Sequence, residues 1–223
     1  MIYSVVDVTP GARGFDTIAT LTGVQYAAMR DIGFTFRWGY LGDLHTAEID
    51  TALSNGVGIV VIQHARAPGW MPDATKGAED GARAVRDASV AQLPGALPLW
   101  CDLESPSLAA TARDIAAYSM SWCLAVHGAS HPAELYVGYA LPCNAEQLWE
   151  LPFTGYASSF SDVATPAHRG FKMRQLFADY PKGECVVRDF CPTAPASVAG
   201  LSIDIDIAQT DYLGARVKML VAA

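Results

Sequence analysis

Positive charge is in short supply: 15 lysines and arginines stand against 23 aspartates and glutamates, leaving a net charge of −8. Sequence-independent nucleic-acid binding needs a positive footprint, and docking to an anionic membrane needs the same. Neither nucleic acid nor membrane is therefore expected as a partner. Long apolar runs are missing too: no stretch approaches the roughly 18 uncharged apolar residues of a transmembrane helix. The opening MIYSVVDVTPGARGFD lacks a basic segment followed by a long apolar one, the mark of a secretory signal. The expectation that results is a cytoplasmic or a phage-encoded, virion-associated location, with action at the cell wall left open. The five cysteines, 101, 123, 143, 185 and 191, are scattered, odd in number and form no CxxC pair. Most are expected as buried free thiols; Cys185 and Cys191 are the one pair close enough in a loop-like segment to suggest a disulfide. No His lies at ligand spacing beside a Cys pair, so zinc is not expected. A Gly-rich phosphate loop and a nucleophile elbow are both absent, and no cofactor is expected.

What the chain does have is apolar mass. Hydrophobic residues make up 51% and charged residues 17% of its 223 positions, against roughly 25% charged in an average soluble protein. One domain over residues 1–223 is the default at this size. A short β-like run, a turn and an Ala-rich helical run recur along it. The strand-like runs are 13–18, 34–41, 58–65, 97–104, 133–140, 155–160, 170–177 and 201–208. Helical patterns fall at 22–32, at 46–55 with Thr46 as cap, and at 77–93, 107–127, 144–150 and 213–220. GIVVIQHA (58–65) reads as a strand buried on both faces. Eight strands alternating with helices predict an α/β fold, a single (β/α)₈ TIM-type barrel.

In a strand, residues i and i+2 share a face. LPLWCDLESP (97–106) therefore projects Asp102 and Glu104 together, with backbones about 7 Å apart, while Leu99, Cys101 and Leu103 point the other way. In a barrel the two acids fall at the C-terminal end of the fourth strand, where active sites are built; the plainer role is a solvated strand end. LSIDIDIA (201–208) repeats the pattern, and packing its isoleucines against helices turns Asp204 and Asp206 toward the barrel centre. Asp16 ends the first strand. Acids converging from three strands repel, and repulsion raises at least one pKa. A carboxylic acid kept protonated in this way is the general acid of glycoside hydrolysis. Asp-X-Asp can also hold a divalent metal beside a nucleotide-sugar phosphate, but no basic phosphate cradle accompanies it here.

Trp38, Tyr40, Trp70 and Tyr139 lie at or just after strand ends, where their faces could stack on sugar rings. Core packing is the plainer role for Trp38. Arg37 and His64 could line the pocket and set the acids' pKa values, although a structural role is the commoner one for such a histidine.

Several of these segments resemble a known family. Asp16 at the end of the first strand, DLE (102–104), RQLF (174–177) and DID (204–206) are similar to the motifs of family 25 lysozymes, small barrels that cleave the glycan of peptidoglycan. GFDT, FTFRWGYL, the Gly-Ala run after 77 and YVGY (136–139) resemble more closely a glycoside-hydrolase-like barrel domain of bacteria and phages, domain of unknown function 1906. The resemblance spans nearly the whole chain. It implies Glu104 as general acid, and Asp102 as the group that orients or polarises a substrate N-acetyl group serving as internal nucleophile. It also implies Asp16 and Asp204 as supporting acids, and Gln175 and Asp206 in substrate binding. The implied partner is a peptidoglycan-like glycan. Arg174 stands where the lysozymes carry Trp, and Asp16 lacks their Asp-X-Ser context. These departures favour the alternative, a catalytically silent carbohydrate-binding or structural module with a virion or envelope partner.

Overall fold

The computed structural model describes residues 2–159, 163–176, 197–198 and 201–223. Its strands are β1 (Tyr3–Asp7), β2 (Arg13–Asp16), β3 (Phe34–Tyr40), β4 (Gly58–Ile62), β5 (Leu99–Leu103), β6 (Ala133–Val137), β7 (Tyr156–Ser158), β8 (Met173–Leu176), β9 (Ser197–Val198), β10 (Leu201–Ser202), β11 (Asp204–Ala208) and β12 (Lys218–Ala222). The helices are α1 (Gly23–Asp31), α2 (Thr46–Ser54), α3 (Ala74–Val90), α4 (Ala112–Gly128) and α5 (Ala145–Trp149).

Strands β2 to β8 pair in parallel, each with the next, and β4–β5 pairing at Val61↔Leu99 joins the two halves. The eighth position is filled by β11, which runs antiparallel to both β2 and β8 and closes the ring. The result is a closed eight-stranded TIM-type α/β barrel, as the strand spacing predicts, with its last strand reversed. Helices alternate with strands through the first two thirds of the chain because each apolar strand needs a cover on its outer face.

Strand parity sorts the core. Leu99, Cys101, Leu103, Leu135, Val137, Ile203 and Ile205 face outward into the layer shared with the helices. Phe36, Trp38, Val60, Ile62, Trp100, Tyr136 and Ala157 fill the barrel interior. Trp38 meets Trp100 and Tyr136 edge to face, with centroids 5.4 and 5.5 Å apart. Gly14 is required here, since a Cβ would sit 2.0 Å from the Phe36 ring.

Two expectations need correction. Residues 213–220 form no helix: Gly214 has φ +83°, and β12 instead pairs with β1 along its length and touches β4 at Ile59. The partner strand β1, unassigned from sequence, is what makes an extended C-terminus favourable. The cap of α2 is His45 rather than Thr46, and its side chain makes no capping bond. Cys101, Cys123 and Cys143 are free thiols; the proposed Cys185–Cys191 pair lies outside the described residues. No helix among the described residues is long and apolar enough to cross a membrane.

Helices α3 and α4 meet backbone to backbone. A Cβ on Gly77 would lie 2.1 Å from the Tyr118 carbonyl oxygen, and one on Gly81 2.8 Å from that of Trp122. Gly77→Ala is expected to force the helices apart at a cost of about 1–3 kcal/mol, a fall in Tm of several degrees for a chain this size. Thermal denaturation followed by circular dichroism checks it, and an unchanged or raised Tm refutes the close approach.

Candidate active site

The C-terminal ends of the parallel strands surround a cavity of about 160 Å³, lined by Trp38, Tyr40, Ile62, Asp102, Glu104, Tyr136, Tyr139, Gln175 and Asp204. Two of the lining acids come from the DLE stretch and one from DID. The reversal of β11 is what places Asp204 here. Its first residue lies beside Asp16, the last residue of β2, so the N-terminal end of β11 meets the C-terminal ends of its neighbours. Asp206 lies one layer deeper, opposite Gln175 and Gly14.

A hydrogen-bonded chain ties four strands, β6, β8, β2 and β3, together. Tyr136 Oη donates to Gln175 Oε1 at 2.6 Å, Gln175 Nε2 donates to Asp16 Oδ2 at 2.6 Å, and Tyr40 Oη donates to Asp16 Oδ1 at 3.3 Å. Asp16 is thus held by two neutral donors. Asp102 and Asp206 are held less well: Asp102 Oδ1 and both carboxylate oxygens of Asp206 are buried without a hydrogen-bond partner.

Burial of several carboxyls together sets their protonation. Desolvation raises the pKa of Asp16 to about 6, with the bonds from Gln175 and Tyr40 and the charge of Arg37 pulling it back. Asp102 is pushed well above the usual carboxylate range by burial, then by the charges of Glu104 and Asp16. Asp206 is raised likewise, by burial and then by Asp16 and Asp204. Glu104, only partly buried, is raised by desolvation and by Asp16. The Tyr40 and Tyr136 hydroxyls are pushed up by burial and the surrounding acids, so both remain donors.

The other residues singled out from sequence take different places. Arg37 is on the outer face of β3, where its Nη1 bonds Glu48 and the Tyr26 hydroxyl and its Nη2 bonds the Thr17 and Ala19 carbonyls. It locks β3 to α1 and α2 and stays out of the cavity, since odd positions of this strand point away from Trp38 and Tyr40. His64 is at the rim: it stacks on Tyr40 with centroids 4.4 Å apart and contacts Asp43 Oδ2 at 2.5 Å. It faces a separate cleft with Asp43, Arg83 and Asp87. Trp70 packs against Tyr118 beside the site and does not line the cavity. Tyr136 was not singled out from sequence. The signal for it is parity: in AELYV (133–137), Leu135 and Val137 face the helices, leaving Glu134 and Tyr136 to the interior. Among the described residues no three His, Cys, Asp or Glu are placed to hold a metal ion.

The family model described as Rv2525c-like, glycoside hydrolase-like domain matches residues 32–174. No curated protein matches the chain. Among solved structures, the Tat-secreted protein Rv2525c of Mycobacterium tuberculosis, in complex with L-tartrate, superposes with a TM-score of 0.63 at 15% identity, covering 89% of this chain and 95% of that one. The catalytic domain of endolysin ply40 from bacteriophage P40 of Listeria monocytogenes gives 0.50 at 12% identity, covering 88% and 92%. The modular autolysin LytC from Streptococcus pneumoniae, in complex with a synthetic peptidoglycan ligand, gives 0.50 at 9% identity, covering 88% and 46%. At such identities the likeness is one of fold.

The acids predict an unusual pH profile of stability. Asp16, Asp102, Glu104 and Asp206 all bind protons more tightly folded than unfolded, so stability is greatest at acid pH and falls as pH rises. For Asp16 the loss runs from the ordinary carboxylate range up through about 6. Tm at about pH 5 is expected to exceed that at about pH 8. Asp206→Asn, which removes an unpartnered buried carboxyl, should raise Tm more at the higher pH. Calorimetric scans showing equal gains at both pH values, or a wild-type Tm that climbs with pH, would contradict this.

Proposed function

The chain belongs to the Rv2525c-like, glycoside hydrolase-like domain family, and on that premise we propose that it cleaves a glycan of β-linked N-acetylated sugars, of which peptidoglycan is the natural candidate. The observation that carries the reading is the joint opening of Asp102 and Glu104 into one cavity at the strand ends, in surroundings that favour protonated carboxyls. The two solved relatives of like fold, a phage endolysin catalytic domain and an autolysin with a peptidoglycan ligand, support the substrate class.

Glu104 suits the general acid. It is the more accessible acid of the pair, and its raised pKa keeps the proton available to the leaving glycosidic oxygen. As the C–O bond breaks, the substrate's acetamido oxygen closes on the anomeric carbon, and Asp102 Oδ1 accepts a hydrogen bond from the acetamido N–H. Water then opens the ring intermediate, with the Glu104 carboxylate taking its proton. Asp16 and Asp204 supply the negative field that stabilises positive charge at the sugar ring. Tyr40 and Tyr139 form apolar walls, Gln175 fixes Asp16, and Asp206 holds a proton beneath the site. Arg37, His64 and Trp70 act from outside the cavity.

The test is incubation of purified protein with peptidoglycan and measurement of released reducing ends. Wild type should release them, with a rate that falls as pH rises through the elevated pKa of Glu104. Glu104→Gln should lose activity by about 10²–10⁴-fold, the usual contribution of a general acid. Absence of release by wild type from acid to neutral pH would overturn the reading. Binding to sedimented peptidoglycan without release would instead identify the silent carbohydrate-binding barrel, which Arg174 in place of the lysozymes' Trp favours.

A further inference from the structure

RAPGWMPD, the loop after β4, carries an indole that does not face the cavity and still touches the catalytic strand. Trp70 Nε1 donates to the backbone carbonyl oxygen of Glu104 at 3.0 Å. Its neighbours reinforce the contact: Gly69 N donates to Ser105 O at 2.9 Å, Ser107 N to Trp70 O at 2.7 Å, and Trp70 bridges Pro106. From the opposite side Ser105 N donates to Tyr139 O at 3.2 Å. A Cβ on Gly138 would lie 2.0 Å from Glu104 Cβ, so the backbone of the loop after β6 is pressed against the same residue.

The clamped backbone is a strained one. Ser105 has φ +49°, a left-handed conformation that a non-glycine residue holds only where its surroundings impose it. The direction of the Glu104 side chain depends on that turn, because the orientation of the Glu104 carbonyl fixes ψ just before it. The indole is in turn held from behind. Its ring meets Tyr118 at 5.0 Å and lies 6.0 Å beneath the Arg66 guanidinium. Arg66 is bonded twice to Asp80 at 2.6 and 2.9 Å, and Tyr118 Oη donates to the same carboxylate at 2.8 Å. Asp80 is fully buried on α3, which gives the loop a rigid footing on the α3–α4 pair.

We propose that Trp70 is a positioning residue: through its indole N–H it fixes the turn at Glu104–Ser105 and so aims the Glu104 carboxyl into the cavity. The proposal rests on the reading of Glu104 as the general acid, and its geometry stands independently of activity. Removal of the N–H frees one of the anchors of a strained turn. Glu104 then turns toward solvent, its desolvation lessens and its proton is held less tightly.

Trp70→Phe keeps a ring against Tyr118 and deletes only the donor. The primary readout is the titration of the Glu104 carboxyl by ¹³C NMR in protein labelled at glutamate, assigned with Glu104→Gln. The Glu104 midpoint should fall toward the ordinary glutamate range in Trp70→Phe, with Tm little changed. On peptidoglycan, kcat should drop by about 10–100-fold, the scale expected for a misaimed catalytic group. KM should change less, and the alkaline limb of the pH–rate profile should move to lower pH. Gly138→Ala, which displaces the same carboxyl from the other side, should also disturb the Glu104 titration. An unchanged Glu104 midpoint in Trp70→Phe overturns the positioning role whatever the activity. Wild type that releases no reducing ends overturns the hydrolase reading, and the NMR midpoint then decides the role of Trp70 alone.

Discussion

The molecule is organised by the cost of burying charge. A carboxylate taken out of water must find a cation, find donors, or keep its proton. On the outer face of the barrel this chain provides cations: Arg37 meets Glu48, and Arg66 and Arg83 meet Asp80. Deep inside, Lys172 meets Glu134. Among the described residues no cation lines the cavity. The lining carries acids, aromatic rings and an amide but no lysine or arginine, and Asp16, Asp102 and Asp206 are left to neutral donors or to their own protons. Ion pairs bind the scaffold together, and Asp16, Asp102 and Asp206 gather in one place, where burial and mutual repulsion raise their proton affinity.

The reversed final strand makes that confinement possible. Had β11 run parallel to its neighbours, the residues at its start would lie at the opposite mouth of the barrel. Running antiparallel, it presents Asp204 beside Asp16 and sets Asp206 across from Gln175. The same reversal delivers the chain to the other end of the barrel, where Gln209 N donates to Lys172 O and Tyr212 N to Arg169 O. From there the return to β12 is short, and pairing with β1 satisfies both terminal segments. Strand direction, acid placement and the pairing of β1 with β12 are consequences of one topological choice.

Much of this is legible in the sequence because period-2 alternation is a local property. LPLWCDLE and LSIDIDIA declare which residues share a face, and the structure puts their leucines and isoleucines against the helices as the pattern requires. Strand direction is not local: nothing in LSIDIDIA distinguishes a parallel neighbour from an antiparallel one, and a helical reading of 213–220 followed naturally from assuming the former. Arg37 shows a related limit. Its neighbours Trp38 and Tyr40 flank the cavity, but a one-residue step reverses the face, and its partner Glu48 comes from a helix whose docking only the tertiary structure shows. Trp70 was singled out for its ring, whereas its indole N–H is what reaches the Glu104 backbone, a contact between loops 34 residues apart.

The site also carries an energetic cost of its own. Asp102 Oδ1 is buried without a donor, and a buried acceptor left unmade costs about 1–3 kcal/mol. The strained turn at Ser105 adds to that cost. Replacing the orphaned acid by an apolar residue of similar volume would remove that cost. A ligand that brings an N–H to Asp102 recovers part of the cost on binding. Glu104 opens into the same cavity, so such a ligand meets both acids of the DLE stretch at once.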